Sequence, residues 1–405
     1  MTRTATSLLT LALLLAAVPA SAQAASDPAS EARLQFGPLG LTPSIAIENV
    51  GIDTNVFNDT EDPKEDFTAT SRPQLDVWLR LGRATLSVAA AVEGVYFKRY
   101  SDQSSVNPDG AAALEYRGNR VGVFAGGGLR RTRQRPGFEI DVRVRQVQES
   151  LMAGGDIRLG GKTAVGVTID RTRARFEEDA TVSGTSLRET LNRRETTASA
   201  FVSYDVTPLT SVLVRADVQR DTFDASPLRN SRRVRITPGV EFKPFALITG
   251  SASVGYHSFE PLDSAQTPFT GTFASVDLAY TLLGRTRFAV QANRDVEYSY
   301  RPSQPYYVIT GVTGSISQAV SGSWMLTARG GRHRLNYGGT LFDASTGASR
   351  RDMDIVHLYG AGIAWQVSPD VQLGVNADYQ RRQTADPARR AYEGLRAGSF
   401  LTYGR

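Results

Sequence analysis

Val371-Gln372-Leu373-Gly374-Val375-Asn376-Ala377-Asp378-Tyr379-Gln380-Arg381 alternates between apolar and polar residues along its whole length. Period two is the spacing of a β-strand, whose successive side chains point to opposite faces, so this stretch has one oily face and one wet face. Ser368-Pro369-Asp370 is a tight turn ahead of it, and Val356–Val367 is a second strand-length run beyond that turn. Working outward, the same hairpin recurs along nearly the whole chain. In Ala69–Leu81, for example, Leu75, Val77, Leu79 and Leu81 share one face while Gln74, Asp76, Trp78 and Arg80 share the other.

About eighteen such segments lie between Leu41 and Tyr403, joined by connections that are short and long in turn. Gly82-Arg83, Gly160-Gly161, Pro244-Phe245, Leu283-Gly284 and Ser368-Pro369 are short. Asn55–Thr68, Ser101–Gly110, Gln134–Asp141, Glu177–Thr190 and Gly338–Arg351 are long. This pattern predicts an all-β fold, a transmembrane antiparallel up-and-down barrel with short turns and both termini in the periplasm. The alternation slips near Gln146-Val147, where a bulge is expected. Tyr204, Phe242, Tyr280, Trp324, Trp365 and Tyr403 fall near the short turns. Tyr96, Tyr100, Tyr256, Phe259, Tyr298, Tyr300, Tyr337 and Tyr379 fall near the long loops, so two aromatic girdles are expected.

The N-terminus sets the compartment. Met1-Thr2-Arg3, the apolar run Ser7–Val18 and the small-residue pattern Ala20-Ser21-Ala22 have the layout of an export signal. Residues 1–22 therefore read as a cleaved signal peptide, 23–40 as a short periplasmic segment and 41–405 as the barrel. The middle segment is too short for a folded plug domain, which argues against a TonB-dependent transporter. No other stretch reaches the roughly 18 apolar residues of a spanning helix. The chain has no cysteine, which excludes disulfides and a lipid-anchored cysteine. The formal net charge is +5, carried by arginine, since lysine occurs only at Lys64, Lys98, Lys162 and Lys243. An exported chain without a basic tail or recognition motif points away from nucleic acid and toward anionic lipid or polysaccharide. The mean hydropathy of −0.25 is compatible with a barrel, because only one face of each strand meets lipid.

No motif for covalent chemistry emerges, and no catalytic, cofactor or metal site is expected. Gly161-Lys162-Thr163 resembles the end of a phosphate loop, but Asp156 occupies the place of the required glycine and the segment joins two strands. His257, His333 and His357 have no partners at metal-ligand spacing. Asp59, Glu61, Asp62, Glu65 and Asp66 make an acidic loop whose spacing matches no calcium loop.

Gly51-Ile52-Asp53-Thr54-Asn55-Val56-Phe57, the strand from Arg72-Pro73, the Gly82-Arg83 turn, Tyr96 and the closing Gly394-Leu395-Arg396-Ala397-Gly398 resemble the β-barrel porin type 2 family of Gram-negative outer-membrane proteins. The resemblance implies a barrel associated with exopolysaccharide synthesis and export. One departure is the C-terminus, Tyr403-Gly404-Arg405, where outer-membrane barrels usually end on an aromatic residue.

Strand parity assigns the two walls. Candidate lumen residues are Asp76, Arg80 and Glu93, then Arg215, Asp217 and Gln219, then Gln291, Asn293 and Asp295, and finally Arg329, Asn376 and Asp378. On the opposite parity, the lipid-facing residues lead up to Arg131 and Arg133, to Arg171, Arg173 and Arg175, to Arg220, to Arg332 and Arg334, and to Arg381. These arginines are expected to meet lipopolysaccharide, because a guanidinium matches phosphate in a forked geometry. The expected function is a passive conduit, led by polysaccharide export with possible periplasmic export proteins as partners. The alternatives are a general diffusion porin, a surface scaffold or adhesin acting through its loops, and an outer-membrane hydrolase.

Overall fold

The computed structural model of the chain describes residues 32–404 apart from positions 245, 265, 303, 344–347 and 387–388, and only the backbone of 338–343 and 348–351. The stretch read as an export signal, the start of the following segment, Phe245 of one turn and part of the Gly338–Arg351 loop lie outside the described residues.

Eighteen long strands follow one another. The first six are β1 (Leu39–Asp53), β2 (Asp66–Leu81), β3 (Ala84–Phe97), β4 (Ser105–Arg117), β5 (Val121–Gln134) and β6 (Val144–Arg158). Next come β7 (Thr163–Phe176), β8 (Arg193–Thr207), β9 (Thr210–Phe223), β10 (Ser231–Phe242), β11 (Ile248–Pro261) and β12 (Phe269–Leu282). The last six are β13 (Thr286–Tyr298), β14 (Tyr306–Ser321), β15 (Trp324–Asp343), β16 (Ala348–Ser368), β17 (Val371–Thr384) and β18 (Tyr392–Tyr403). Each pairs antiparallel with its sequence neighbours, and β18 pairs back with β1, setting Tyr403 opposite Ile45 and Arg396 opposite Asp53. The sheet is thereby a closed barrel without free edges. A three-residue strand, Leu34–Phe36, pairs with β1 below the end of β18, where Arg33 bonds Asp370 (2.7 Å).

Closure crowds the seam. Asn49 takes a left-handed φ of 55°, and the β1 register skips between Ile47 and Val50. A Cβ on Gly51 would strike the Ala397 carbonyl of β18, so the seam needs glycine there. Short connections lie at one end, as at Leu283-Gly284, where both residues are left-handed. Longer loops lie at the other end, and both ends of the barrel chain, Leu39 and Tyr403, lie on the short-turn side.

Several expectations need correction. The ladder runs continuously through Gln146 and Val147, so no bulge exists there; register shifts occur instead at Asn49, between Asn336 and Thr340, and at three hairpin turns. β4 begins at Ser105, inside the stretch read as a loop, because Asn107 and Asp109 face the lumen and are polar for that reason. The turn-end girdle stands on the outer wall, where Tyr204, Trp324, Trp365 and Tyr403 are 42–45 % exposed. The loop-end girdle is only partly real. Tyr96 and Tyr256 are exposed outside, but Phe259, Tyr298, Tyr300 and Tyr337 are buried inside the barrel mouth. Position along the strand told their height and not their face.

Candidate functional site: the lumen and its closed mouth

The inner wall carries charges of both signs. Arg329 on β15 bonds Asp378 on β17 (2.8 Å), and Asn376 donates to the same carboxylate (3.0 Å). Such pairs bridge alternate strands by passing over a glycine: Gly360 on β16 lies beneath Arg329 and Asp378, and Gly122 on β5 lies beneath Arg117 and Asp156 (3.1 Å). Any side chain there would collide with the ion pair. Asp109 is held by Arg72 (3.4 Å) and Arg130 (2.9 Å), and Asp205 by Lys243 (3.3 Å).

The other candidate lumen residues lie on the same wall. Asp76 accepts from Gln74 (2.9 Å), and Glu93 accepts from Asn107 (3.0 Å) and Gln134 (2.6 Å). Gln219 donates to Asp221 (2.7 Å), Gln291 donates to Asp277 (3.2 Å), and Asp295 accepts from Arg235 (3.3 Å). Arg215 lies over the Phe201 ring (5.8 Å), and Asn293 sits beside Gly311 next to His333. Arg80 is exposed near the Gly82 turn. From the middle of β9 the inner wall grows drier toward the long loops. Along β9, Arg215 and Asp217 are half-buried, Gln219 is 7 % exposed, and Asp221 is 0 % exposed.

That dryness comes from loops folded into the bore. The connection between β5 and β6 crosses the lumen. Arg135 in this traverse donates to the Val56 carbonyl (2.8 Å) of the β1–β2 loop, and Arg382 on β17 donates to the Glu139 carbonyl (3.1 Å). The Glu139 carboxylate accepts from Ser299 Oγ (2.6 Å) and from the Tyr300 backbone N–H (3.2 Å), both in the β13–β14 loop. Arg229 of the β9–β10 loop donates to the Arg301 carbonyl (2.8 Å). Phe138 stacks against His333 (4.5 Å between centroids), and Ile140 joins Phe176, Val182, Leu187, Leu191, Phe223 and Tyr298 in an apolar core.

Part of that core comes from α1 (Leu187–Leu191) in the β7–β8 loop. Ser186 caps it by accepting from the Glu189 N–H (3.4 Å), and Ser186-Leu187-Arg188-Glu189 is a capping-box sequence. Beside it, Asp354 is held by Arg382 (2.7 Å) and Arg389 (3.1 Å), and Asp352 by Arg389, all essentially without exposure. Removing one partner of such a buried set costs on the order of 3–5 kcal/mol, because a charge is left uncompensated. Burial pushes Glu139 up to about 7 against the hydrogen bonds it accepts. Burial, with Arg396 nearby, lowers Arg135 to about 10, which leaves it charged near neutrality.

The nine outward arginines stand on the outer face near the long loops, in different surroundings. Arg131 bonds Glu177 (2.8 Å), Arg173 bonds Asp224 (3.4 Å), and Arg175 bonds Glu149. Arg381 lies 3.9 Å from Glu393, and Arg133 turns to the Asp102 carbonyl. Arg171, Arg220, Arg332 and Arg334 are exposed. Of the histidines, His257 lies 3.3 Å from Asp295, His333 lies 3.2 Å from Thr313 Oγ1, and His357 stacks on Tyr359 outside. In the acidic loop, Asp59 accepts from the Glu61 N–H (3.0 Å), and Asp66 accepts from the Arg99 and Tyr100 N–H groups (2.9 Å each). These carboxylates cap turns, and among the described residues no group of three or more His, Cys, Asp or Glu is placed to hold a metal.

An aliphatic outer wall, a charged inner wall and a closed antiparallel sheet define a transmembrane β-barrel of the outer-membrane type. The chain belongs to the family described as "Putative beta-barrel porin 2", whose model matches residues 31–403. Among solved structures it is similar to the outer membrane protein OpdK from Pseudomonas aeruginosa, at 8% identity and a TM-score of 0.48, over 90% of this chain and 98% of that one. It is also similar to a BenF-like porin from Pseudomonas fluorescens Pf-5, at 10% identity and a TM-score of 0.47, with the same coverage. A bacterial polysaccharide outer membrane secretin matches at 11% identity with a TM-score of 0.35, again over 90% and 98%. No curated protein matches the chain.

Proposed function

We propose that the protein is a gated, non-enzymatic conduit of the outer membrane that exports an exopolysaccharide. The observation that carries this reading is the contrast between the two ends of one bore. Toward the long loops Gln219, Asp221, Asp352 and Asp354 are buried where the traverse and its neighbours interlock, while Arg80 near a short turn is exposed. A bore closed at rest suits a polymer threaded on demand, whereas an open sieve for nutrients has no use for an interlocked mouth. The wall chemistry fits a sugar chain. Carboxylates, guanidiniums and amides of mixed sign offer many weak hydrogen bonds to hydroxyl groups without building a field of one sign, so a polymer can slide from site to site.

Deleting the gene should reduce extracellular polymer and leave outer-membrane uptake of small sugars unchanged. Normal polymer with impaired uptake of small solutes would instead make it a diffusion porin.

The short turns are assigned to the periplasm, as in other barrels of this kind. Epitope tags in Asn55–Thr68 or Glu177–Thr190 should then be reached by antibody on intact cells, and tags at Gly82-Arg83 or Gly160-Gly161 should not. The opposite labelling would reverse the barrel in the membrane.

A further inference from the structure

Four outward arginines stand on consecutive strands: Arg171 on β7, Arg194 on β8, Arg220 on β9 and Arg232 on β10. Thr196 is opposite both Arg171 and Arg220, and Arg220 is opposite Arg232, so these three arginines share one row across the sheet. Arg194 occupies the next row toward the loops, opposite Arg173 and Thr222. At a strand spacing of ~4.8 Å the row spans about 14 Å, and the long side chains can converge within it. Among the described residues, none of the four has an ion-pair partner within 4.0 Å. The carboxylate that shares their row, Glu260 opposite Arg232, accepts from Ser258 Oγ (3.2 Å).

Directly below this row the surface is aliphatic. Ile169, Ala198, Val218 and Val234 are in register, then Val167, Ala200, Ala216 and Ile236, then Val165, Val202, Val214 and Pro238. Val167, Ile169, Val202, Val214 and Ile236 are each more than half exposed. Tyr204 ends the band at the short-turn side. From Tyr204 to Thr196 the strand rises about 26 Å, or roughly 20 Å along the barrel axis at a tilt near 40°, close to the height of an apolar lipid band. The arginines therefore sit where lipid tails end and headgroups begin.

We propose that this patch is a binding site for the phosphate groups of lipopolysaccharide. Each guanidinium presents a fork of N–H donors that matches a phosphate, and Thr196 and Thr222 add hydroxyls between them. The site rests on the long loops facing outward and not on the conduit reading, so conduction can fail while the site stands. Unlike a continuous belt, it occupies four strands, and it includes Arg194 and Arg232.

The test uses the purified full chain, with lipopolysaccharide as the probe and phosphatidylglycerol vesicles as the competing phosphate source. Folding is verified by the heat-dependent shift in electrophoretic mobility. The variant R171Q/R194Q/R220Q/R232Q should bind lipopolysaccharide about tenfold more weakly or worse. The variant R131Q/R175Q, whose arginines stand on the same outer face but are paired with Glu177 and Glu149, should bind as the natural chain does. Dephosphorylated lipopolysaccharide should bind the natural chain weakly, a measurement that needs no variant to fold. Equal loss in both variants, or full binding of the dephosphorylated lipid, would overturn the site. Phosphatidylglycerol bound as tightly as lipopolysaccharide would overturn the assignment of the ligand.

Discussion

Replacing residues 136–142 with a short Gly-Ser link should raise the single-channel conductance of the reconstituted barrel several-fold. The replaced segment carries the contacts that close the bore. Phe138 covers His333, Ile140 enters the apolar core, and Glu139 ties the segment to Ser299, Tyr300 and Arg382 on other parts of the mouth. The wall should survive, because the β5–β6 ladder continues up to Gln134 opposite Val144 and does not depend on the traverse. Planar-bilayer recordings of a variant that keeps its heat-dependent mobility shift would check this. Conductance equal to that of the natural chain would mean that the bore is limited elsewhere, and the traverse would lose its role as the gate.

The closed mouth should also loosen as pH rises. Glu139 titrates at about 7 in the closed mouth because burial disfavours its charge, against 4.5 for the free side chain. The sign follows from which state holds the proton more tightly. Below about 4.5 both the closed and the released segment are protonated, and the closed form has its full stability. Between 4.5 and about 7 the released segment gives up its proton first, so closure weakens, and above 7 the loss is complete. Conductance should therefore climb between pH 5 and pH 8. Glu139→Gln should stay at the low-pH level throughout, since a neutral amide can still accept from the Tyr300 N–H and donate to Ser299 Oγ. A flat profile in the natural chain, or an identical climb in Glu139→Gln, would remove Glu139 as the sensor. Arg382, Arg389 and Arg229 face the same pocket, but they stay charged across this range and cannot supply the change.

The walls were legible in the sequence because a strand writes its two faces into alternate positions. Asn376 and Asp378 lie inward, and Arg220 and Arg332 lie outward, where parity places them. The mouth was harder to read. Pro136-Gly137-Phe138-Glu139-Ile140-Asp141 looks like a polar turn region, yet Phe138 and Ile140 are apolar side chains that a solvated loop has no reason to carry. The same signal stands in Leu187 and Leu191, behind the Ser186–Glu189 capping box. Both were available as local oddities, but neither says which surface receives them. The buried ends of β11, β13 and β15 misled for a related reason: Phe259 and Tyr337 have the residue type of a lipid girdle and the parity of a core, while Tyr298 is buried although it shares parity with the exposed Phe288 and Val290.

By itself, the sequence determined the number of strands, their order, the alternation of turn and loop, and the division into an oily wall and a wet one. Each of these depends on neighbours in the chain: a hairpin pairs consecutive strands, and a strand's face repeats every second residue. Only the tertiary structure decided that the bore is closed, that Asp352 and Asp354 are held by Arg382 and Arg389, and that four arginines form one patch. Those features join residues far apart in the chain, such as Glu139 with Ser299 and with Arg382. No period in the sequence records such meetings, because they exist only after the barrel has closed and brought its loops around a common mouth.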